Sequence, residues 1–367
     1  MAGLLGKLLD FPAFLLGFTF LYWSLPISAL LGKFSCWRFQ GKVNYPYDWA
    51  KGLCDLFRVK LLLLPGPQKY RGGPCMFLAN HRCWADFFID VVLSEGNAQM
   101  LSRMAVYYVF PMFMISVRAA KGVILFKRGR QHDKDAFNRM VDKKMARSPL
   151  EGLIIYPEGH RSTKQDSLPL KRGMLHYAFS RKLPMQIIMS SNKEAVLSEK
   201  KQSAHFGQKI LVGYSDVIQT KDFASFEDML AALQRAWDAQ WLRVYSARLE
   251  EAVSSMPDRM DTIDYSRHDR LNQLGATALE GVCFLLAAAL TFKAAAVILR
   301  ASGSYWLWLL LGLGLWCSIS AVRACQVVTP WAPSQQLRAA QQQLSSSHDG
   351  QRMLAAAQSH SIQAPPQ

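Results

Sequence analysis

Three apolar runs sit at the ends of the chain, at residues 11–32, 281–299 and 306–322. Each comes close to the roughly 20 residues an α-helix needs to cross a bilayer core. In hydrocarbon a backbone finds no water to bond, so runs of this kind must form helices whose polar groups are satisfied internally. Only the short polar link 300–304 and Tyr305 separate the last two runs, which makes them an antiparallel hairpin. Lys293 lies near the loop end of that hairpin, where its ammonium can reach water. The first run contains Pro12 and Pro26. It reads as a retained anchor, or as a helix pair bent at Pro26 that dips into one leaflet. A cleaved signal peptide is the rival reading. Against it stand the aromatic content (Phe18, Phe20, Tyr22, Trp23) and the lack of a small-residue cleavage site.

The flanks of these runs carry cations. Lys33, Arg38 and Lys42 follow the first, and Arg267, Arg270 and Arg323 border the hairpin opposite its loop. By the positive-inside tendency, the polar middle of the chain faces the cytosol. The net charge is +16, which suits an anionic membrane, an acidic substrate or a nucleic acid. The membrane reading is the best supported, because the basic residues share the chain with membrane-length segments. Nucleic acid is set aside: the sequence has no zinc-finger spacing, no basic region leading into heptads and no RNA-binding-sheet signature. Seven scattered cysteines with no C-x-x-C pair suggest neither a disulfide framework nor a zinc site, and fit a reducing compartment. No Ser- and Arg-rich transit peptide precedes the first run, so the endoplasmic reticulum is the membrane expected.

From about residue 60 to 215, short apolar runs alternate with polar helical stretches. Strands are expected at 59–64, 75–79, 122–126, 153–156, 185–189 and 210–212. The clearest helix is 133–146, where Phe137, Met140, Val141 and Met145 fall on one face. Residues 104–117 read as a core helix or as a segment lying against the membrane. Residues 225–255 read as one long amphipathic helix with a capping box at Ser225 and Asp228. The expected fold class is α/β: a mixed sheet flanked by helices, with an N-terminal membrane segment and a C-terminal transmembrane hairpin. The boundaries drawn are an anchor at 1–42, a central domain at 43–262, the hairpin at 263–329 and a disordered tail at 330–367.

Chemistry concentrates after the strands. Asn80-His81-Arg82-Cys83-Trp84-Ala85-Asp86 follows the apolar run 75–79, and a His at a strand end points into the layer where α/β folds build their sites. A spacing of five puts two helical residues off a common face. For His81 and Asp86 to meet, His81 must therefore stand before or at a helix start, with Asp86 one turn in. The carboxylate would then hold one ring nitrogen and leave the other free as a base. Leu153-Ile154-Ile155-Tyr156 runs into Pro157-Glu158-Gly159-His160-Arg161-Ser162-Thr163. There Gly159 permits a sharp turn, and Arg161 offers a planar fork suited to phosphate beside the Ser162 hydroxyl. Lys171 repeats the pairing of a base with a nearby glycine, and the strand 122–126 ends in Lys127 and Arg128.

Taken in order, His81-x4-Asp86, Arg128, Glu158-Gly159-x-Arg161-Ser162 and Leu183-Pro184 resemble the four blocks of the glycerolipid acyltransferases. Within these the chain looks most like the 1-acylglycerol-3-phosphate acyltransferases. Residues 74–189 carry the resemblance. It implies that His81 is the general base and Asp86 its orienting partner. It also implies that Arg128, Glu158, Gly159 and Arg161, with Ser162 and Lys171 nearby, bind the acceptor, chiefly its phosphate. His160 and Lys127 depart from the residues most often found there, which blurs the subfamily.

The implied reaction moves an acyl group from acyl-CoA, a co-substrate and not a resident cofactor, to the free hydroxyl of lysophosphatidic acid. A neutral imidazole suits proton removal from that hydroxyl near neutral pH. The CoA thiol, with a pKa of roughly 8.5, leaves with little help. No nucleophile elbow or metal-ligand cluster is visible in the sequence, and no metal is expected. The alternatives are a lysophospholipid or glycerol-3-phosphate acyltransferase, a CoA-independent transacylase, or a non-enzymatic lipid-binding protein held to anionic membranes by its termini and charge.

Overall fold

The computed structural model describes residues 2–30, 42–119, 121–127, 134–164, 166–258, 260–264, 270–328 and 339. In chain order the elements begin with α1 (Ala2–Leu30), β1 (Lys42–Val43), α2 (Tyr45–Leu56), β2 (Lys60–Leu63), β3 (Met76–Ala79) and α3 (Asp86–Leu93). Next come β4 (Ala98–Arg103), α4 (Met104–Val109), α5 (Pro111–Ala119), β5 (Val123–Phe126), α6 (Lys134–Met145), β6 (Gly152–Ile155), α7 (Arg172–Ser180) and β7 (Met185–Ser190). Then follow α8 (Lys193–Val196), β8 (Leu197–Ser198), β9 (Ser203–Ala204), β10 (Lys209–Tyr214), α9 (Phe226–Ser246), β11 (Ser254–Ser255) and β12 (Ile263–Asp264). Helices α10 (Arg270–Ala301) and α11 (Trp306–Ala324) complete the series.

Among the described residues the main sheet has eight strands in the order β11-β2-β10-β7-β3-β6-β4-β5. Strands β7, β3, β6, β4 and β5 run parallel to one another. Strand β10 meets β7 antiparallel, and β2 runs parallel to β10. The sheet is therefore mixed, as expected for the fold class. Every residue of β3, β6 and β7 is buried, because helices cover both faces. The period of two sorts the side chains. Phe77 and Ala79 join a core with α2, α3 and α5, whereas Met76 and Leu78 join a second core with α6, α7 and α9.

All six strands expected from the apolar runs form, within a residue or two at their ends. Strand β4 was not anticipated, because Gln99, Ser102 and Arg103 dilute its apolar signal. The helix expected over 225–255 stops at Ser246, where Ala247 turns to extended backbone. Ser254 and Ser255 pair instead with β2 and form the edge strand β11, which satisfies their backbone groups in the sheet. The stretch 104–117 is two helices and not one. Phe110 leaves the helical region just before Pro111, a position where proline disfavours it.

Among the described residues, three helices are long and apolar enough to cross a membrane: Leu4–Ser28, Leu274–Ala301 and Gly303–Ala324. Helix α1 runs unbroken through Pro12 and Pro26 to Leu30, so the described residues form one helix there and not a pair. Pro12 has no N–H to offer the carbonyl one turn back, at Leu8. The indole Nε1 of Trp316 on α11 donates to that carbonyl instead, at 2.9 Å. Asp10 pairs with Arg323 through contacts of 2.6 and 3.1 Å, so this flanking cation is tied to α1. Further along α1, Leu21 and Leu25 are buried against the sheet domain, and Trp49 Nε1 donates to Ser24 Oγ at 2.9 Å. The outer parts of α10 and α11 expose Leu285, Leu290, Phe292, Trp308 and Leu311, as lipid-facing helices do. Arg267 and the tail from 330, apart from residue 339, lie outside the described residues, and the side chain of Arg270 is not described.

Candidate active site

The C-terminal ends of the parallel strands converge on one edge of the sheet, where open α/β folds bind ligands. Strand β3 delivers Asn80 and His81, β6 delivers Tyr156 through Gly159, β4 delivers Arg103, and β7 leads to Lys193. Because β3 and β6 are neighbours, their two motif loops lie side by side. The N–H of Ser162 donates to the His81 carbonyl at 2.9 Å, which ties one loop to the other.

His81 and Asp86 meet. Nδ1 of His81 lies 2.7 Å from Asp86 Oδ2. That oxygen also accepts from the backbone N–H of Arg82 (2.7 Å) and of Cys83 (3.1 Å). Asp86 is the first residue of α3 and not one turn in, because its carboxylate folds the preceding turn back onto the helix start. The imidazole stacks on the Tyr156 ring at a centroid distance of 4.0 Å, and Tyr156 OH donates to Asp90 at 3.0 Å. The ring is held at one edge and one face, and Nε2 has no partner among the described residues.

Beneath this pair lies a fully buried cation. Lys193 Nζ donates to the Asn80 carbonyl (2.8 Å) and to both oxygens of Asp90 (2.9 and 3.1 Å), and it lies 3.2 Å from Asp86 Oδ1. Burial pushes the Asp86 carboxyl up, but the ammonium, the imidazole and the amides outweigh it and hold the group at about 2. Asp90 has no such set of amides. Burial, reinforced by the nearby Asp86 charge, carries it to about 7 despite Lys193. Burial lowers His81 below the usual imidazole range; Asp86 opposes the shift, while the charges of Arg161 and Lys193 add to it. The imidazole is thus neutral at neutral pH and oriented, as a general base must be.

The remaining motif residues divide between the floor and the rim. Glu158 is fully buried and accepts from the His81 N–H at 3.4 Å; burial raises it to about 7, and its other oxygen has no partner among the described residues. It supports the loop from below. Gly159 turns the chain at φ +77°, a left-handed value that favours glycine. Its carbonyl accepts from Arg103, and the Lys171 stem lies across it, 3.0 Å from where a Cβ would stand. Ser162 is buried, with its hydroxyl accepting from the Lys164 N–H at 3.1 Å. Arg161 is about one-third exposed at the rim, with Nη1 3.0 Å from Glu199. Arg128 lies outside the described residues.

Several residues of the site were not singled out from the sequence. Lys193 carries no motif; only its place just past the last block marks it. Asp90 stands four residues after Asp86, the spacing of one helical face, and that carboxylate pair was a readable signal. Arg82 lies inside the first motif, yet it points away from His81 into the core. There it pairs with Glu194 (2.9 Å) and sits 5.6 Å from the rings of both Trp241 and Tyr245.

A histidine oriented by an ionised carboxylate, with its Nε2 unpartnered among the described residues and an arginine at the rim, is an arrangement able to take a proton from a bound group. Comparison with known proteins gives the class to which such a site is similar. Residues 64–190 match the Acyltransferase family model, and all the motif blocks lie within the match. The 1-acyl-sn-glycerol-3-phosphate acyltransferase of Saccharomyces cerevisiae is 26% identical over 161 residues, 42% of this chain and 52% of that protein. The 1-acyl-sn-glycerol-3-phosphate acyltransferase beta of Homo sapiens is 28% identical over 132 residues, 35% of this chain and 45% of that protein. The chain thus spans about half the length of the curated relatives it matches. Among solved structures, the 1-acyl-sn-glycerophosphate (LPA) acyltransferase of Thermotoga maritima gives a TM-score of 0.45 at 11% identity. That alignment covers 55% of this chain and 79% of the other.

Proposed function

We propose that this chain is an acyl-CoA-dependent 1-acylglycerol-3-phosphate O-acyltransferase that makes phosphatidic acid at a membrane. The observation that carries the reading is the 2.7 Å contact between His81 and an Asp86 held ionised, within the segment that matches the acyltransferases. In the proposed step, His81 Nε2 takes the proton of the acceptor hydroxyl as its oxygen attacks the thioester carbonyl. Asp86 fixes the tautomer and stabilises the imidazolium. The tetrahedral intermediate then expels the CoA thiolate, which takes up the proton, and His81 returns to neutral.

Arg161 and Lys171, with Arg128 by resemblance, are the cations that would meet the acceptor phosphate, and Gly159 lets backbone approach it. Glu158 and Ser162 are assigned to holding the loop. An apolar cavity lined by Leu25, Trp49, Phe87, Met100, Phe113 and Val117 opens beside α3 and is the proposed place for an acyl chain. Lysophosphatidic acid, acyl-CoA and the membrane are the proposed partners. We place the sheet domain on the cytosolic side of the endoplasmic reticulum, between an anchor at 1–42 and a hairpin at 263–329. Transfer from labelled acyl-CoA is the test, with lysophosphatidic acid, glycerol 3-phosphate and lysophosphatidylcholine offered as acceptors. Transfer to lysophosphatidic acid supports the proposal; transfer only to another acceptor discards the subfamily and keeps the chemistry.

A further inference from the structure

The short hairpin β8–β9 leans over the rim of the site. Its turn carries Glu199 and Lys200, and Lys200 Nζ donates to the Arg161 carbonyl at 2.6 Å. Glu199 Oε1 lies 3.0 Å from Arg161 Nη1, an ion-pair contact not aligned as a hydrogen bond. Neither Glu199 oxygen has a hydrogen-bond partner among the described residues, and its side chain is only 16% exposed. Buried carboxylates of this chain divide: Glu158 and Glu280 each leave one oxygen without a partner among the described residues, whereas others are well served. Glu194 receives two donors from Arg82, and Glu95 receives Lys69 and Arg71. A carboxylate built only to hold the hairpin would be expected to match them.

Hairpin placement is fixed from behind. Gly17 of α1 lets that helix approach so closely that a Cβ there would stand 3.1 Å from both Leu197 and Ala204 side chains. Glu199 is therefore held against Arg161, and the two form a fixed pair of opposite charges at the acceptor rim. A phosphate monoester satisfies only the arginine and repels the carboxylate. A phosphate diester bearing an ammonium satisfies both at once.

We infer that Glu199 determines head-group selectivity, receiving a donor group attached to the acceptor's phosphate while Arg161 receives the phosphate itself. The acceptor class then includes lysophospholipids with an amine-bearing head group alongside lysophosphatidic acid. This inference rests on the proposed function for Arg161's role and extends it to a second acceptor.

Glu199→Gln tests it, since the amide keeps the shape and removes the charge. Binding of lysophosphatidic acid and lysophosphatidylethanolamine of one acyl chain is measured on the full-length protein in detergent micelles, without acyl-CoA. The variant is expected to bind the ethanolamine lipid about tenfold more weakly, as for loss of a close charge pair, and the monoester more tightly. An affinity ratio between the two lipids within threefold of wild type overturns the inference. Because binding is read without turnover, a wild type that transfers acyl groups to nothing would sink the proposed function, while the ratio would still decide the role of Glu199.

Discussion

Lys193→Met removes the buried ammonium while keeping most of the side-chain volume. Its three partners are the Asn80 carbonyl, Asp90 and Asp86, all within 3.2 Å. Breaking a buried ion pair by deleting one member costs about 3–5 kcal/mol, because the other charge is left uncompensated. For a domain of this size that is a fall in Tm of roughly 6–20 °C. The stranded charge is relieved by taking up a proton. Asp90, already raised by burial, takes it in preference to Asp86, which His81 and the backbone amides hold low. Asp86 then stays ionised and keeps His81 in place, so turnover falls by only about tenfold, against about 10⁴-fold when the carboxylate of such a pair is neutralised. Loss of Lys193 also removes a charge that depresses His81, so the acid limb of the pH–rate profile moves to higher pH. Thermal unfolding and the pH dependence of kcat/KM are the assays, with Lys193→Met/Asp90→Asn as the balancing variant, expected to recover most of the lost Tm. An unchanged Tm, or an acid limb that does not move in either variant, would refute the reasoning.

Glu158→Gln should raise thermal stability at pH 8 and leave it nearly unchanged at pH 4. Folding lifts this carboxyl from 4.5 to about 7, so its contribution is fully present below about pH 4.5 and lost as pH climbs through about 7. The shift corresponds to about 3 kcal/mol, and a variant less stable than wild type at pH 8 would contradict the account. Trp84→Ala should lower kcat several-fold while the protein still sediments with membranes through α10 and α11. Trp84 lies within the His81–Asp86 turn and packs on Phe14 and Phe18 of α1 (5.8 and 5.5 Å) and on Phe110 (5.1 Å). Normal kcat in that variant would show that α1 does not steady the catalytic turn.

How much of this was legible beforehand follows from what each residue's signal depends on. Strands such as β3 and β6, buried on both faces, wrote themselves as unbroken apolar runs. Helix α6 declared its face through Phe137, Met140 and Val141, whereas β4 did not, because polar residues dilute it. The end of α9 was unreadable for a different reason: the amphipathic pattern continues past Ser246, and the competing pairing partner is β2, far away in sequence. Pro12 looked like a break, and nothing local shows that Trp316, 304 residues later, supplies the donor that lets α1 continue. At the site, the spacing of His81 and Asp86 was readable, and so was Arg161 after its strand. Lys193 and Glu199 were not, since a buried lysine and a half-buried glutamate look like surface charges until the fold sets them beside Asp86 and Arg161.

The central claim is that His81, oriented by Asp86, is the base in acyl transfer. It is tested most directly by comparing wild type and His81→Ala for transfer from labelled acyl-CoA to lysophosphatidic acid across pH. The account predicts that wild-type kcat/KM falls as pH drops through a value below the ordinary imidazole range, because burial lowers His81. It also predicts that the folded, membrane-bound variant loses essentially all turnover. A variant that keeps near-normal turnover, or one whose residual activity retains the wild-type acid limb, would contradict it.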